Sequence, residues 1–98
     1  MTFETVYPMW EAVRSRFTKT VTALTEEELS LKLGETSIGQ LVYHTGEVEY
    51  IFSDWYFDQK QPKIEQPSLT DKEQLIDYLA AANQFLIEAM RNLPEEKW

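Results

Sequence analysis

The sequence contains no cysteine, a single histidine and few basic residues. The lack of cysteine excludes disulfides, thiolate metal sites and a cysteine nucleophile from its 98 residues. Nine lysines and arginines stand against 17 aspartates and glutamates, which gives a formal charge of −8. This balance repels nucleic-acid phosphate at long range, and because no basic cluster offsets it locally, we expect no binding to nucleic acid.

Long apolar runs are also missing. The most apolar segment carries Glu47, Glu49 and Asp54, so we expect no membrane-spanning helix. The first ten residues lack the basic stretch and following apolar run of a secretory signal. Together with the absence of cysteine, these features predict a cytoplasmic location by elimination.

The overall composition is that of a folded protein, with 43% hydrophobic and 27% charged residues. A chain of this length fits one domain, and it can bury roughly two-thirds of its unfolded surface around one core. We therefore predict a single domain over residues 1–98.

Three long segments repeat their apolar residues at helical spacing and predict helices over about 6–23, 38–57 and 71–93. The three stripes are Val6, Trp10, Val13, Phe17, Val21 and Leu24; Ile38, Leu41, Thr45, Val48, Phe52 and Trp55; and Leu75, Leu79, Ala82, Leu86, Ala89 and Leu93. No segment shows sustained period-two alternation, so the sequence predicts an all-α fold without a sheet.

Capping patterns predict where the helices begin. A Ser or Thr stands three residues before a Glu or Gln at Thr25–Glu28, Ser37–Gln40 and Thr70–Glu73. Thr5 is the predicted cap of the first helix, which places Pro8 in the first turn, where a missing N–H is tolerated. Gly34 is predicted to mark the turn before the second long helix.

A short internal repeat indicates how many helices the fold contains. The hexapeptide LTEEEL at 24–29 follows the first helix, and LPEEKW at 93–98 follows the third. The repeat predicts two helical hairpins, the second without its last helix. Because four helices close a core better than three, we expect an apolar groove that a partner chain fills, most simply in a twofold dimer.

His44 is the one residue with clear potential for metal chemistry. On a helical wheel it lies at the border of the predicted apolar face, next to the acidic strip that contains Glu47, Asp54 and Asp58. A neutral imidazole there can bind a metal through one nitrogen while the other donates to a carboxylate such as Glu47. This hypothesis requires the ring to point toward the interior of the bundle.

The alternative is that His44 is a structural border residue, bonded to Glu47 or to a backbone group. The pattern alone favours this alternative, since a zinc-type site needs about three protein ligands. Tyr43 is predicted to be exposed, and Tyr50 and Phe57 fall off the stripe, where they could form a contact surface. Aromatics at helical spacing are usually core residues.

The second helix resembles a known family. Residues 37–50, SIGQLVYHTGEVEY, are similar to the signature helix of the DinB/YfiT-like superfamily, with S-I-G-x-L-x-x-H followed closely by Glu47. The linker LTEEEL at 24–29 also resembles that of the family. The resemblance implies an up-down-down-up four-helix bundle, often a homodimer, of which this chain holds the first three helices and lacks the fourth.

The resemblance also implies a divalent metal, nickel or zinc, held by three histidines. His44 matches the ligand on the second helix, and Glu47 would be its hydrogen-bonding partner or an extra ligand. The other two ligands belong to an H-x-x-x-H motif on the fourth helix and have no counterpart in this sequence, so we expect them beyond residue 98.

The implied activity is that of a metal-dependent hydrolase, or of a transferase that uses a low-molecular-weight thiol, acting on a small molecule. The sequence identifies neither catalytic residues nor a substrate. The alternative function is a non-catalytic dimeric helical interaction module without a metal site.

Overall fold

The computed structural model describes residues 2–57, 59–94 and 96. Its elements are α1 (Phe3–Ala23), α2 (Glu26–Leu29), β1 (Lys32–Leu33), β2 (Thr36–Ser37), α3 (Ile38–Phe57) and α4 (Lys72–Asn92). The three long helices confirm the predicted all-α fold, and the second has the predicted bounds. None of the helices in the described ranges is both long enough and apolar enough to cross a membrane.

Two of the predicted caps are present. Thr25 Oγ1 accepts a hydrogen bond from the Glu28 amide at 3.1 Å, and Glu28 Oε1 accepts one from the Thr25 amide at 2.9 Å. Ser37 Oγ accepts from the Gln40 amide at 3.1 Å at the start of α3. These bonds satisfy amides that have no partner within the helix, so both helices begin where their sequences specify.

Two helix starts were predicted wrongly. α1 begins at Phe3, which makes Pro8 its sixth residue. The Thr2 carbonyl accepts a hydrogen bond from the Val6 amide at 3.1 Å, and the Phe3 and Tyr7 rings stack over this first turn with centroids 5.2 Å apart. α4 begins after Asp71, whose carboxylate accepts from the Gln74 amide at 3.1 Å. A carboxylate is a stronger cap than the preceding threonine hydroxyl, so Asp71 displaces the predicted Thr70 cap.

The prediction of no sheet was also wrong. β1 and β2 form an antiparallel pair, with Lys32 opposite Ser37 and Leu33 opposite Thr36. The two-residue turn between them depends on Gly34, whose φ of 72° is unfavourable for residues with a Cβ. Two-residue strands are too short to show alternation in the sequence, which explains the error.

The long helices run up, down and down. One apolar cluster joins Val21 at the end of α1 to Val42 and Leu75 near the starts of α3 and α4. A second cluster joins the start of α1 to Phe57 at the end of α3 and to Met90 near the end of α4. α3 and α4 are therefore parallel to each other and antiparallel to α1.

A parallel pair requires a long return connection, and residues 59–71 provide it. Thirteen extended residues reach roughly 40 Å, more than the about 30 Å length of a twenty-residue helix. The segment is irregular from 59 to 68, and Leu69 packs against the first apolar cluster.

Small residues line the face of α3 that packs on α4. A Cβ on Gly46 would lie 2.7 Å from a ring carbon of Tyr78 and 3.3 Å from a methyl of Leu79. Gly39 and Ser53 are buried on the same face. The absence of a side chain at Gly46 lets α3 and α4 approach closely, whereas at Gly39 it makes room for the backbone of Leu69 and Leu29.

This packing overturns the predicted stripe of α3. Leu41, Phe52 and Trp55, predicted to be core, are 46%, 42% and 69% exposed. Tyr50, predicted to be off the stripe, is buried, and Tyr43 packs against the first apolar cluster instead of being exposed. The stripe marked the bulky apolar residues, whereas α4 packs on the small ones.

Because these bulky residues do not pack on α4, an apolar surface is exposed. This surface, here called the open face, is made of Met9, Val13, Leu41, Phe52 and Trp55. The first two belong to α1 and the others to α3. α1 and α3 both pack on α4, and the helical wheel turns these side chains away from it. The open face therefore lies on the side of the bundle opposite α4.

Candidate functional site

His44 lies in the second turn of α3, at the edge of the open face. Its Nδ1 is 3.0 Å from Oε1 of Glu47, one turn further along the helix. The imidazole is 61% exposed and the Glu47 side chain 40% exposed. The sequence therefore predicted both the border position and the partner correctly.

The requirement that the ring point toward the interior is not met. The face of α3 that carries His44 has no helix packed on it among residues 2–57, 59–94 and 96, because α4 packs on the opposite, small-residue face. The ring instead borders a surface pocket of about 280 Å³. The pocket is lined by Thr36, Gln40, Leu41, Tyr43, His44 and Glu47.

Glu47 connects His44 to the interior. Its second oxygen, Oε2, accepts a hydrogen bond from the Tyr43 hydroxyl at 3.2 Å. The Tyr43 ring lies 5.1 Å from that of Tyr78 on α4, and the Tyr78 ring lies 5.8 Å from that of Tyr50. The carboxylate is thus anchored at one end by an aromatic cluster that belongs to the α3–α4 interface.

The same arrangement keeps the tyrosines protonated. Burial, followed by the negative charge of Glu47, raises the pKa of Tyr43 above its usual value. Burial also raises the pKa of Tyr78 strongly, with Tyr43 adding to the effect. Tyr43 therefore acts at neutral pH as a hydrogen-bond donor to Glu47 and not as a base.

The donor atoms of residues 2–57, 59–94 and 96 can supply part of a metal site. The bond to Glu47 occupies Nδ1 and leaves Nε2 as the atom that can bind a metal. No group of three or more His, Asp or Glu side chains that could hold a metal occurs there. The described residues thus fit one ligand and its supporting carboxylate, and they do not supply a complete coordination sphere.

A buried ion pair was missed by the sequence reasoning. Arg14 of α1 donates to both carboxylate oxygens of Glu49 on α3, from Nε at 2.8 Å and from Nη2 at 2.9 Å. Nη2 also donates to the Leu79 carbonyl at 2.9 Å. Burial raises the pKa of Glu49, and the guanidinium of Arg14 opposes that rise.

One sequence signal could have revealed this pair. Arg14 stands four residues after Trp10 and three before Phe17, so it interrupts an otherwise apolar stripe. A charged residue at such a position is buried only with a partner. Glu49 lies in the interior, whereas Glu47, two residues earlier on the same helix, lies at the surface.

Ser37 caps α3 and lies in β2, as its assigned capping role requires. Asp58 of the acidic strip lies outside the described residues, as do Glu95, Lys97 and Trp98 of the second hexapeptide.

Comparison with protein families shows which family this chain belongs to. The family model of the DinB superfamily matches residues 9–98, which is nearly the whole chain. The chain belongs to the DinB superfamily. The match confirms the resemblance recognised in SIGQLVYHTGEVEY and extends it across all three long helices. No curated protein and no solved structure gave a significant match to this DinB-superfamily chain.

Proposed function

We propose that this DinB-superfamily chain contributes His44 as one ligand of a divalent metal, nickel or zinc. The enzyme would act on a small molecule, as a hydrolase or as a transferase that uses a low-molecular-weight thiol. The observation that carries the proposal is the 3.0 Å bond between His44 Nδ1 and Glu47, which leaves Nε2 free to coordinate.

The metal, when bound, supplies an activated water or thiol by lowering its pKa. His44 would bind through Nε2, and Glu47 would orient the ring. The pocket beside them would receive the small molecule, next to the exposed side chain of Gln40. The described residues contain no complete ligand set, and none of their helices packs on the face that carries His44. The proposal therefore requires that both the remaining ligands and the element that covers His44 come from outside the described residues.

Metal affinity tests the proposal. The full-length gene product would be titrated with Zn²⁺ and Ni²⁺ in competition with a chromophoric chelator, alongside His44→Ala and Gln40→Ala. Gln40 is the matched control, since it lines the same pocket on the same helix but supplies no imidazole. We expect affinity to fall at least about tenfold in His44→Ala and to persist in Gln40→Ala. Equal affinity in all three proteins would contradict the proposal.

The open face favours a second candidate, a dimeric interaction module. Its five side chains are each 42–69% exposed, and a contiguous exposed apolar patch of this kind marks an interaction surface. A groove lined by Thr5, Val6, Met9, Trp10 and Val13 continues it along α1. The occupant that we propose is a second copy of this chain, related by a twofold axis.

Sedimentation velocity tests the dimer. Trp55→Glu places a charge on the open face, at one of its two most exposed side chains, so it should convert a dimer to a monomer. Ile64→Glu is the control, because Ile64 is an exposed apolar residue of the return connection and does not belong to the open face. A monomeric wild-type protein, or a dimer that persists in Trp55→Glu, would contradict this candidate.

A further inference from the structure

Four side chains form a continuous path from the α3–α4 interface to the surface. Tyr78 packs against Tyr43 with ring centroids 5.1 Å apart. The Tyr43 hydroxyl donates to Glu47 Oε2 at 3.2 Å. The other oxygen of Glu47 lies 3.0 Å from His44 Nδ1.

We propose that Tyr43 is a positioning residue for His44. By holding Glu47, Tyr43 keeps the proton of the neutral imidazole on Nδ1 and leaves the lone pair on Nε2. The inference rests on the proposed role of His44 as a metal ligand, because only that role gives the choice of nitrogen a function.

The energetic reason is the exposure of the histidine–glutamate pair. An exposed pair of this kind contributes little by itself, because fixing two flexible side chains costs about as much as the contact provides. Glu47 here accepts one bond from His44 and one from Tyr43, through different oxygens. Since the Tyr43 ring is already fixed by its contact with Tyr78, the second bond restricts Glu47 at little additional cost in entropy.

The geometry also explains why the residues occupy these positions. Tyr43 and Glu47 are four residues apart and His44 and Glu47 are three apart, so all three side chains meet above one turn of α3. Tyr43 is on the side toward the core, and His44 is on the side toward solvent. Glu47 lies between them, so a side chain held by the packed interface restricts the orientation of the exposed His44 ring.

A purely structural role for Tyr43 would have a different consequence. Its hydroxyl would then contribute to helix stability, and its removal would lower the free energy of unfolding without changing which imidazole nitrogen carries the proton. The tautomer of His44 separates the two roles. His44 is the only histidine in this sequence, so its ring nitrogens give the single imidazole signal of residues 1–98.

The experiment is long-range ¹H–¹⁵N NMR of the metal-free protein at about pH 8, above the usual pKa of histidine. Wild type should be mainly the Nδ1–H tautomer. In Tyr43→Phe the ratio of Nδ1–H to Nε2–H should fall about two- to tenfold, the change expected from losing one hydrogen bond. Glu47→Ala should shift the ratio at least as far, toward the Nε2–H form that free imidazole side chains favour.

Tyr50→Phe is the matched control. Tyr50 belongs to the same aromatic cluster, and its ring lies 5.8 Å from that of Tyr78, but its hydroxyl does not bond to Glu47. Its substitution should leave the tautomer ratio unchanged. A cooperative urea-unfolding transition would show that Tyr43→Phe is folded. An unchanged tautomer ratio in that folded variant would overturn the positioning role.

The two proposals fail in different measurements. The tautomer is read without metal, so a metal affinity that His44→Ala leaves unchanged would overturn the proposed function and leave the tautomer result standing. Conversely, a wild-type protein that binds metal through His44 but shows no preference for Nδ1–H would overturn the positioning role alone.

Discussion

Arg14 and Glu49 join α1 to α3 through a two-pronged ion pair that is almost completely buried. The side chains of the two residues are 5% and 3% exposed. Arg14 donates further to the Leu79 carbonyl on α4 and to Thr18 on its own helix. Within the described ranges, no buried side-chain nitrogen or oxygen lacks a hydrogen-bond partner, so this pair is fully satisfied.

Removing one partner of the pair should destabilise the fold strongly. Arg14→Met would leave the Glu49 carboxylate buried without its counter-charge, so we expect the free energy of unfolding to fall by about 3 kcal/mol or more. Urea denaturation measures the change. Arg16→Met is the control, because Arg16 is an exposed arginine of the same helix, and its substitution should cost less than about 0.5 kcal/mol.

The double variant Arg14→Met/Glu49→Leu should recover much of that loss. Two apolar side chains leave no buried charge unpaired, and such replacements are often neutral or stabilising. A double variant that is as unstable as the sum of its single changes would show that the pair does not act as a unit.

Gly46 should not tolerate a side chain, although alanine is a better helix former. Gly46→Ala would gain about 1 kcal/mol in helix propensity, but its Cβ would meet the Tyr78 ring at 2.7 Å. Because that ring is held between Tyr43 and Tyr50, overpacking should outweigh the gain and give a net loss of about 1–2 kcal/mol.

Thermal or urea unfolding tests this close approach. The loss should be smaller when Gly46→Ala is introduced into a Tyr78→Leu background, where the ring is absent. A stabilised Gly46→Ala protein would mean that α3 and α4 are further apart than the structure places them.

The close approach of α3 to α4 at Gly46 also explains how far the fold could be predicted from the sequence. Periodicity gave the three helices and their lengths because bulky apolar residues recur regularly in all of them. The stripes of α1 and α4 were largely correct, with Val13 as an exposed exception at 61%. On α3, however, the packing face contains Gly39, Gly46 and Ser53, and small residues do not register as an apolar stripe.

The candidate site could be predicted in part. A helical wheel placed His44 at the border of the apolar face and Glu47 within hydrogen-bonding reach of its ring. Both predictions depend only on spacing along one helix. The contribution of Tyr43 was missed, because it depends on α4 packing against the small-residue face and turning that side chain inward. The Arg14–Glu49 pair was missed because pairing between helices is a tertiary property.

The tyrosine cluster should make the free energy of unfolding decrease at alkaline pH. Burial, with the neighbouring hydroxyls and Glu47, raises the pKa of Tyr78 in the folded state above the value of about 10 expected when unfolded. Above that pH the unfolded chain loses the proton before the folded state does. The free energy of unfolding should therefore decrease as pH rises from about 10.

Tyr78→Phe should weaken this dependence, since the substitution removes the ionisable group with the strongest shift. The measurement is urea denaturation of wild type and variant at about pH 9 and about pH 11. Equal losses of stability in the two proteins would contradict the assignment to Tyr78.

His44 itself should matter little for stability. The ring is 61% exposed and has one partner on its own helix, so His44→Ala should change the free energy of unfolding by less than about 0.5 kcal/mol. A loss above about 2 kcal/mol, measured without metal, would instead support the structural interpretation of this residue.

Coordination by His44 can be followed at both ring nitrogens while Zn²⁺ is added to the ¹⁵N-labelled gene product, with His44→Ala identifying the signals. We expect the Nε2 resonance to shift on binding, while Nδ1 keeps its proton and its bond to Glu47. Resonances that do not respond to zinc, or a response at Nδ1 with loss of its proton, would contradict this expectation.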